Sequence, residues 1–438
     1  MGKNALLVGA ALACASLPAM GATGFSWGGD FRFRIEGFNH IPIDKAITVD
    51  GQRDNAEIYQ LFNRDRTRLW AKYGFNDNID FYARLTNEFR FYDTSDGRTD
   101  PGTWDFLGEV TPDQMYLDLR KQAGGLIDAR LGRQDFFYGT GKLISDGTPL
   151  DGSRTFFADG AKVTFNFDGH SLDLLGIYTA KRPKPVINDQ EMPLIEQDQW
   201  AAGLYGKYNR FAQFPFEYYW LYKQETDTLT SYGKSADADF STFGFRVMPK
   251  FGYGLTGNLE LATQTGSHGD DDVDGSMVDA SLSFSPDMLS DYKPLFKAGY
   301  WYLSGDDGPG SGDEGWHPVY GRQPQDNWGE LLGYTLVGSQ YGVFGWSNFS
   351  TPYLAMELSP LNKTRLILRY SWVGAAEEDG RGGGTGKDRG DLIFAMLSFE
   401  LLPQLKGYLW GEWFNPGDYY TAGADSDSFV RFNVEYSF

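Results

Sequence analysis

WGGDFRFRIEGF, residues Trp27–Phe38, sets Trp27, Phe31, Phe33 and Ile35 on one side of an extended chain and Asp30, Arg32, Arg34 and Glu36 on the other. Successive side chains of a strand point to opposite faces, so an apolar period of two is a strand signal. LFNRDRTRLWAKYGF, Leu61–Phe75, repeats it with Arg64, Arg66, Arg68 and Lys72 on one face. In IDFYARLTNEFRF, Ile79–Phe91, Phe81, Ala83 and Leu85 oppose Tyr82, Arg84 and Glu88. At the far end FVRFNVEYSF, Phe429–Phe438, opposes Val430, Phe432, Val434, Tyr436 and Phe438 to Arg431, Asn433, Glu435 and Ser437.

The unit of about ten alternating residues and a turn recurs along the whole chain. Further strands are predicted near 113–121, 126–136, 159–167, 171–179, 199–209, 215–225, 239–249, 253–265, 275–284, 294–304, 348–359, 363–373, 390–401 and 405–415, which with the terminal strand at 427–438 and the first three makes eighteen in all. Short turns such as 76–78, 122–125, 168–170 and 402–404 alternate with long polar stretches at 39–58, 93–112, 137–158, 180–198, 305–347 and 374–389. That rhythm predicts an all-β fold, a transmembrane antiparallel β-barrel with short periplasmic turns and long extracellular loops. A soluble sandwich or propeller would also alternate, but would bury Leu and Val rather than display aromatics. Aromatic residues make up 16% of this chain. Lipid offers the backbone no hydrogen-bond partners, so a spanning sheet must close on itself.

The first 22 residues, MGKNALLVGAALACASLPAMGA, read as a signal peptide with cleavage after Gly21 or Ala22, which leaves 23–438 as a single outer-membrane barrel. Cys14, the only cysteine, lies within that segment, so no disulfide framework is expected. Beyond it no run approaches the ~18 apolar residues of a membrane helix. The expected location is the outer membrane of a Gram-negative bacterium, in contact with lipid and lipopolysaccharide, as a monomer. A formal charge of −20 argues against nucleic acid as a partner.

If the aromatic face meets lipid, the other face lines a lumen. A basic side chain facing mid-bilayer costs ~2–4 kcal/mol, which fixes the choice of face. The inward set contains Arg32, Arg34, Arg64, Arg66, Arg68, Lys72, Arg84, Arg120 and Arg130, with Arg431 brought alongside by closure, and Arg365 and Arg369 farther round. Asp173, Glu217, Glu260, Asp279, Glu357 and Glu412 dilute the positive charge on the later strands, while acids such as Asp30, Glu88 and Asp118 stand close enough in sequence to pair with some arginines. Guanidinium offers planar paired donors that suit carboxylate or phosphate solutes.

ARLGRQDFFYGTGKLISD, Ala129–Asp146, and GSRTFFADGAKVTF, Gly152–Phe165, resemble the alginate export porin family of outer-membrane proteins. YWYLSGDDG, Tyr300–Gly308, and FNPGDYY, Phe414–Tyr420, strengthen the likeness, which covers most of the chain after residue 22. The resemblance implies an eighteen-stranded monomeric barrel with a basic pore for an acidic exopolysaccharide, and a periplasmic export partner is kept as an open expectation. It carries Arg133 and Arg154 into the substrate path as familial positions, with Asp159 and Gly160 at the loop's return.

Catalysis finds little support, because His40, His170, His268 and His317 all fall at turns or loops and none is read beside a serine or acid. The chain is therefore expected not to be an enzyme and to carry no cofactor. DDDVDG, Asp270–Gly275, matches the first half of a calcium loop through Asp270, Asp272 and Asp274 but lacks the closing Glu, so a calcium site and a solvated acidic loop both stay open. GTGK at 139–142 lacks phosphate-loop spacing. The leading expectation is a pore passing an anionic polysaccharide such as alginate, by export, with 305–347 as plug or gate. The alternatives are an uptake porin for small acidic sugars or carboxylates, and a closed structural or adhesive barrel.

Overall fold

The computed structural model describes residues 23–39, 59–94, 100–145, 158–191, 197–229, 235–306, 312–321, 329–337, 346–379, 383–420 and 424–438. The proposed signal segment and Arg154 lie outside these residues, as do parts of the 305–347 connection.

Eighteen long strands form the wall. They are β1 Gly24–Asn39, β2 Tyr59–Asn76, β3 Ile79–Tyr92, β4 Thr111–Gln122, β5 Ile127–Gln134, β6 Ala158–Phe167, β7 His170–Thr179, β8 Gln199–Tyr208 and β9 Phe216–Leu229. They continue as β10 Ser235–Val247, β11 Leu255–His268, β12 Ser276–Phe284, β13 Leu295–Leu303, β14 Phe349–Leu358, β15 Thr364–Gly374, β16 Asp388–Leu402, β17 Leu405–Pro416 and β18 Asp427–Ser437. Each pairs antiparallel with its neighbours in sequence, and β18 pairs with β1 from Asp30↔Ser437 to Asn39↔Ser428, which closes the ring. The eighteen strands and their connections match the expected barrel. No helix among the described residues is long and apolar enough to cross a membrane.

Alternation explains which way each side chain faces. Trp27, Leu69, Leu85, Leu261, Leu354, Trp413 and Val430 are exposed on the outer surface, whereas Arg32, Arg34, Glu36 and Arg431 on the opposite parity are buried inside. At the seam Gly29 and Phe438 exchange both backbone hydrogen bonds at 3.1 Å. The Phe438 ring stacks on Phe31 with centroids 5.6 Å apart.

The interior is not uniformly polar. Towards the long-loop rim the inward positions become Phe38, Phe62, Leu175, Ile177, Phe240, Trp301 and Leu303, joined in one buried cluster with Phe136, Leu143 and Ile144 of the β5–β6 connection and Trp316, Val319, Leu331, Leu332 and Trp346 of the β13–β14 connection. Charge gives way to apolar side chains there because those positions face inserted loop rather than water. A short parallel pair, Ile144–Ser145 with Tyr320–Gly321, ties the two connections together. The second connection also carries a helix, α1, Glu330–Val337.

Candidate functional site

The lumen is built from two charged walls and two inserted segments. On β1, β2, β3 and β18 the period of two stacks guanidiniums inward. Arg34, Arg64 and Arg431 converge on the Glu36 carboxylate at 3.3, 3.3 and 3.0 Å, and Arg32 and Arg64 meet Glu88 at 2.9 and 3.1 Å. Four guanidiniums thus share two wall carboxylates. Arg34 also donates to Asn433 and Tyr408, each at 2.9 Å. Arg68 pairs with Asp30 at 2.8 Å, Arg84 with Asp113, and Arg66 lies buried between Arg64 and Arg68 on β2.

Towards the short-turn rim the basic groups become accessible. Lys72 and Arg120 both hold Asp80, Arg130 pairs with Asp118 at 2.7 Å while lying over the Tyr116 ring, and Arg365 at the edge is more than half exposed on Glu357. Arg369 is buried over the Phe394 ring, 4.6 Å from its centroid. Arg133 takes the other face of β5, in register with Met115 and Asp159. There Asp159 grips it at 2.8 and 2.9 Å, with the carbonyls of Pro112 and Lys184 completing the clamp. That position fastens loops at the rim rather than joining the inward ladder.

The wall from β7 to β12 is acidic. Asp173 accepts from Tyr138 at 2.6 Å, Glu217 from Tyr205 at 2.8 Å and Glu260 from Tyr219 at 2.9 Å. Tyr219 can lie across the wall because Gly244 beneath it has no side chain; a Cβ there would fall 2.1 Å from its ring. The β5–β6 connection crosses to this wall, placing Lys142 2.6 Å from Asp279 with both side chains fully buried and the ammonium over Trp301. β12 lies seven strands beyond β5 in a ring of eighteen, so the segment spans the lumen nearly from side to side. Lys142 belongs to the GTGK stretch, whose role here is this buried ion pair.

The β13–β14 connection meets both walls. Lys223 donates to the Pro318 carbonyl at 2.8 Å, and Gln264 bonds both the N–H and the carbonyl of His317. Glu412 on β17 accepts from the Glu330 and Leu331 amides at 2.7 and 2.8 Å, capping α1 at the end where the helix dipole favours an anion. Glu330 itself reaches Arg431. The insert therefore presents its own carboxylate to the guanidinium wall.

Sequence reasoning missed Lys142, Glu330 and one cluster of histidines. His268, the last residue of β11, stands beside an acid after all: its Nδ1 lies 2.7 Å from Asp313 Oδ2, with His317 Nε2 at 2.9 Å from the same oxygen. Linear spacing hid this because Asp313 arrives from another connection. Burial works to raise the Asp313 pKa, but the close approach of His268 and then His317 outweighs it and holds the carboxyl well below its ordinary range. Asp270, Asp272 and Asp274 stand exposed on the adjoining hairpin, and they are not among the described groups whose ligand atoms converge.

Comparison with known proteins places this geometry. The family model described as alginate export matches residues 26–428. No curated protein matches the chain. Among solved structures, Pseudomonas aeruginosa OpdK with vanillate is similar at TM-score 0.59 and 13% identity, over 94% of this chain and 98% of that one. P. aeruginosa OccK2 (OpdF) in complex with glucuronate gives 0.58 and 13%, over 95% and 99%. P. aeruginosa OccK3 (OpdO) gives 0.54 and 15%, over 94% and 96%. At these identities the likeness is one of fold.

Proposed function

This chain belongs to the alginate export family, an outer-membrane pore by family and fold, and from that premise we propose that it passes an anionic polysaccharide such as alginate outward through its arginine-lined lumen. The observation that carries the reading is the guanidinium ladder, in which Arg32, Arg34, Arg64 and Arg431 share Glu36 and Glu88. Guanidinium pairs bidentately with a carboxylate and stays charged at any working pH. Arg32 Nε and Nη1 have no hydrogen-bond partner among the described residues, so the ladder retains donor capacity. A row of weak sites passes a repeating polyanion from one guanidinium to the next, where a single tight site would hold it.

Transport on this reading requires the β13–β14 insert to yield, since Glu330 occupies Arg431. Replacing Arg64, Arg66 and Arg68 together by Gln should move reversal potentials in planar bilayers from anion towards cation preference. A wild-type channel without anion preference sinks the polysaccharide reading. A second reading, uptake of small acidic sugars or carboxylates, draws on the fold shared with the glucuronate and vanillate complexes. Flux into liposomes of uronate oligomers of rising length separates the two: exclusion of all but the monomer favours uptake.

A further inference from the structure

Outside the ladder, three side chains with metal-ligating atoms meet at the junction of the β13–β14 connection and the wall. We propose that His268, Asp313 and His317 bind a divalent transition-metal ion of the zinc, copper or nickel kind, and that the ion fastens the connection to β11. The ligand atoms all lie within 4.8 Å of one another. The two imidazoles approach one carboxylate oxygen with their rings 83° apart and centroids separated by 5.4 Å. His317 Nε2 is buried and, though 2.9 Å from Asp313 Oδ2, has no aligned hydrogen bond. Its nitrogen is left for another partner.

The positions of the three do not depend on their contacts with one another. Asp313 is held through its backbone, donating to Asp272 O at 2.8 Å and accepting from Asp274 N at 3.1 Å. Gln264 grips the His317 backbone at 2.8 and 2.7 Å, and the His317 ring rests 5.4 Å from Phe240. His268 is fixed by its strand. Such support is what keeps a ligand set in place before the ion arrives.

Donor chemistry selects the ion. Two imidazoles and a carboxylate suit zinc, copper and nickel, whereas calcium and magnesium take oxygen ligands throughout. With metal–ligand bonds of ~2.0–2.2 Å, tetrahedral donors stand about 3.4 Å apart, so His268 parts from Asp313 by about 0.7 Å and His317 by about 0.5 Å. A fourth position remains for water. His317 is the most accessible of the three, and the exposed Asp270, Asp272 and Asp274 beside it raise the local concentration of cations.

The test uses the full-length barrel in detergent, stripped with chelator and titrated with Zn²⁺, Ni²⁺ and Ca²⁺ by calorimetry and thermal unfolding. One Zn²⁺ per chain with a raised melting midpoint is expected. H268Q and H317Q should each weaken binding by at least the ~10–100-fold that loss of an outer partner costs, and should abolish the visible absorption of bound Co²⁺. D270N/D272N/D274N should keep the stoichiometry. Absence of Zn²⁺ binding, unchanged binding in both His variants, or Ca²⁺ bound as tightly as Zn²⁺ overturns the proposal. A wild type unaffected by Zn²⁺ but destabilised by H268Q assigns the trio to hydrogen bonding alone and overturns it too. Zinc should also lower bilayer conductance in the wild type and not in H268Q; that arm rests on the pore reading, whereas the binding arms do not.

Discussion

A methyl group placed on Gly29 would meet the Phe438 ring at 2.6 Å and the Arg68 carbonyl oxygen at 2.8 Å, so the seam admits no side chain there. Gly29→Val should weaken closure by ~1–3 kcal/mol, the usual cost of forcing atoms into a packed site, read as a lower midpoint for loss of the folded band on unheated gels. At Glu330 the single change Glu330→Gln removes the charge facing Arg431 while keeping the shape, and should raise single-channel conductance or opening frequency. Equal conductance would count against the insert as a barrier. Parity alone located Arg32, Arg34, Arg64 and Arg431 on the inward face. It also sets Arg133, three residues after the inward Arg130, on the other face, in register with Met115 and Asp159, against the place in the substrate path that the resemblance carried to it.

At the scale of elements, the β5–β6 connection is held across the lumen by Lys142 and Asp279. Removing one member of a buried pair leaves the other charged and unpartnered, at a cost of ~3–5 kcal/mol, while replacing both by apolar residues is often neutral. Lys142→Met should therefore lower the thermal midpoint sharply, and Lys142→Met/Asp279→Leu should recover most of it. A double variant as unstable as the single would show that the pair does more than neutralise itself. The strands were legible because lipid and lumen impose a strict period of two on every residue between turns. The inserted segments were not, since nothing in GTGK tells Lys142 to cross to a strand more than a hundred residues later. One signal was present in the sequence: on β1 and β2 the inward series runs Arg32, Arg34, Glu36, Phe38 and Arg66, Arg64, Phe62, losing its charge where the insert begins.

For the whole molecule, the barrel sets a short-turn end with part-exposed basic groups against a packed loop end, and the pore reading puts the resistance to flow with the inserts. Replacing residues 306–346 by a short Gly-Ser linker should raise conductance several-fold over wild type while leaving the eighteen strands and their heat-modifiable band intact. An unchanged conductance would favour a barrel closed by other means. On the pore reading, the carboxylate that α1 lays on Arg431 bears on which solutes can pass. Carried on the same chain and held beside Arg431, such a group acts at a high effective concentration. A single free carboxylate competes poorly with it at ordinary solute levels. A chain bearing many carboxylates in register gains by avidity, because each guanidinium it captures brings the next sugar within reach. If the lumen passes a polyanion as proposed, the insert works as a built-in competitor that grades solutes by valency, admitting a polymer past a threshold length at concentrations where its monomer is held back.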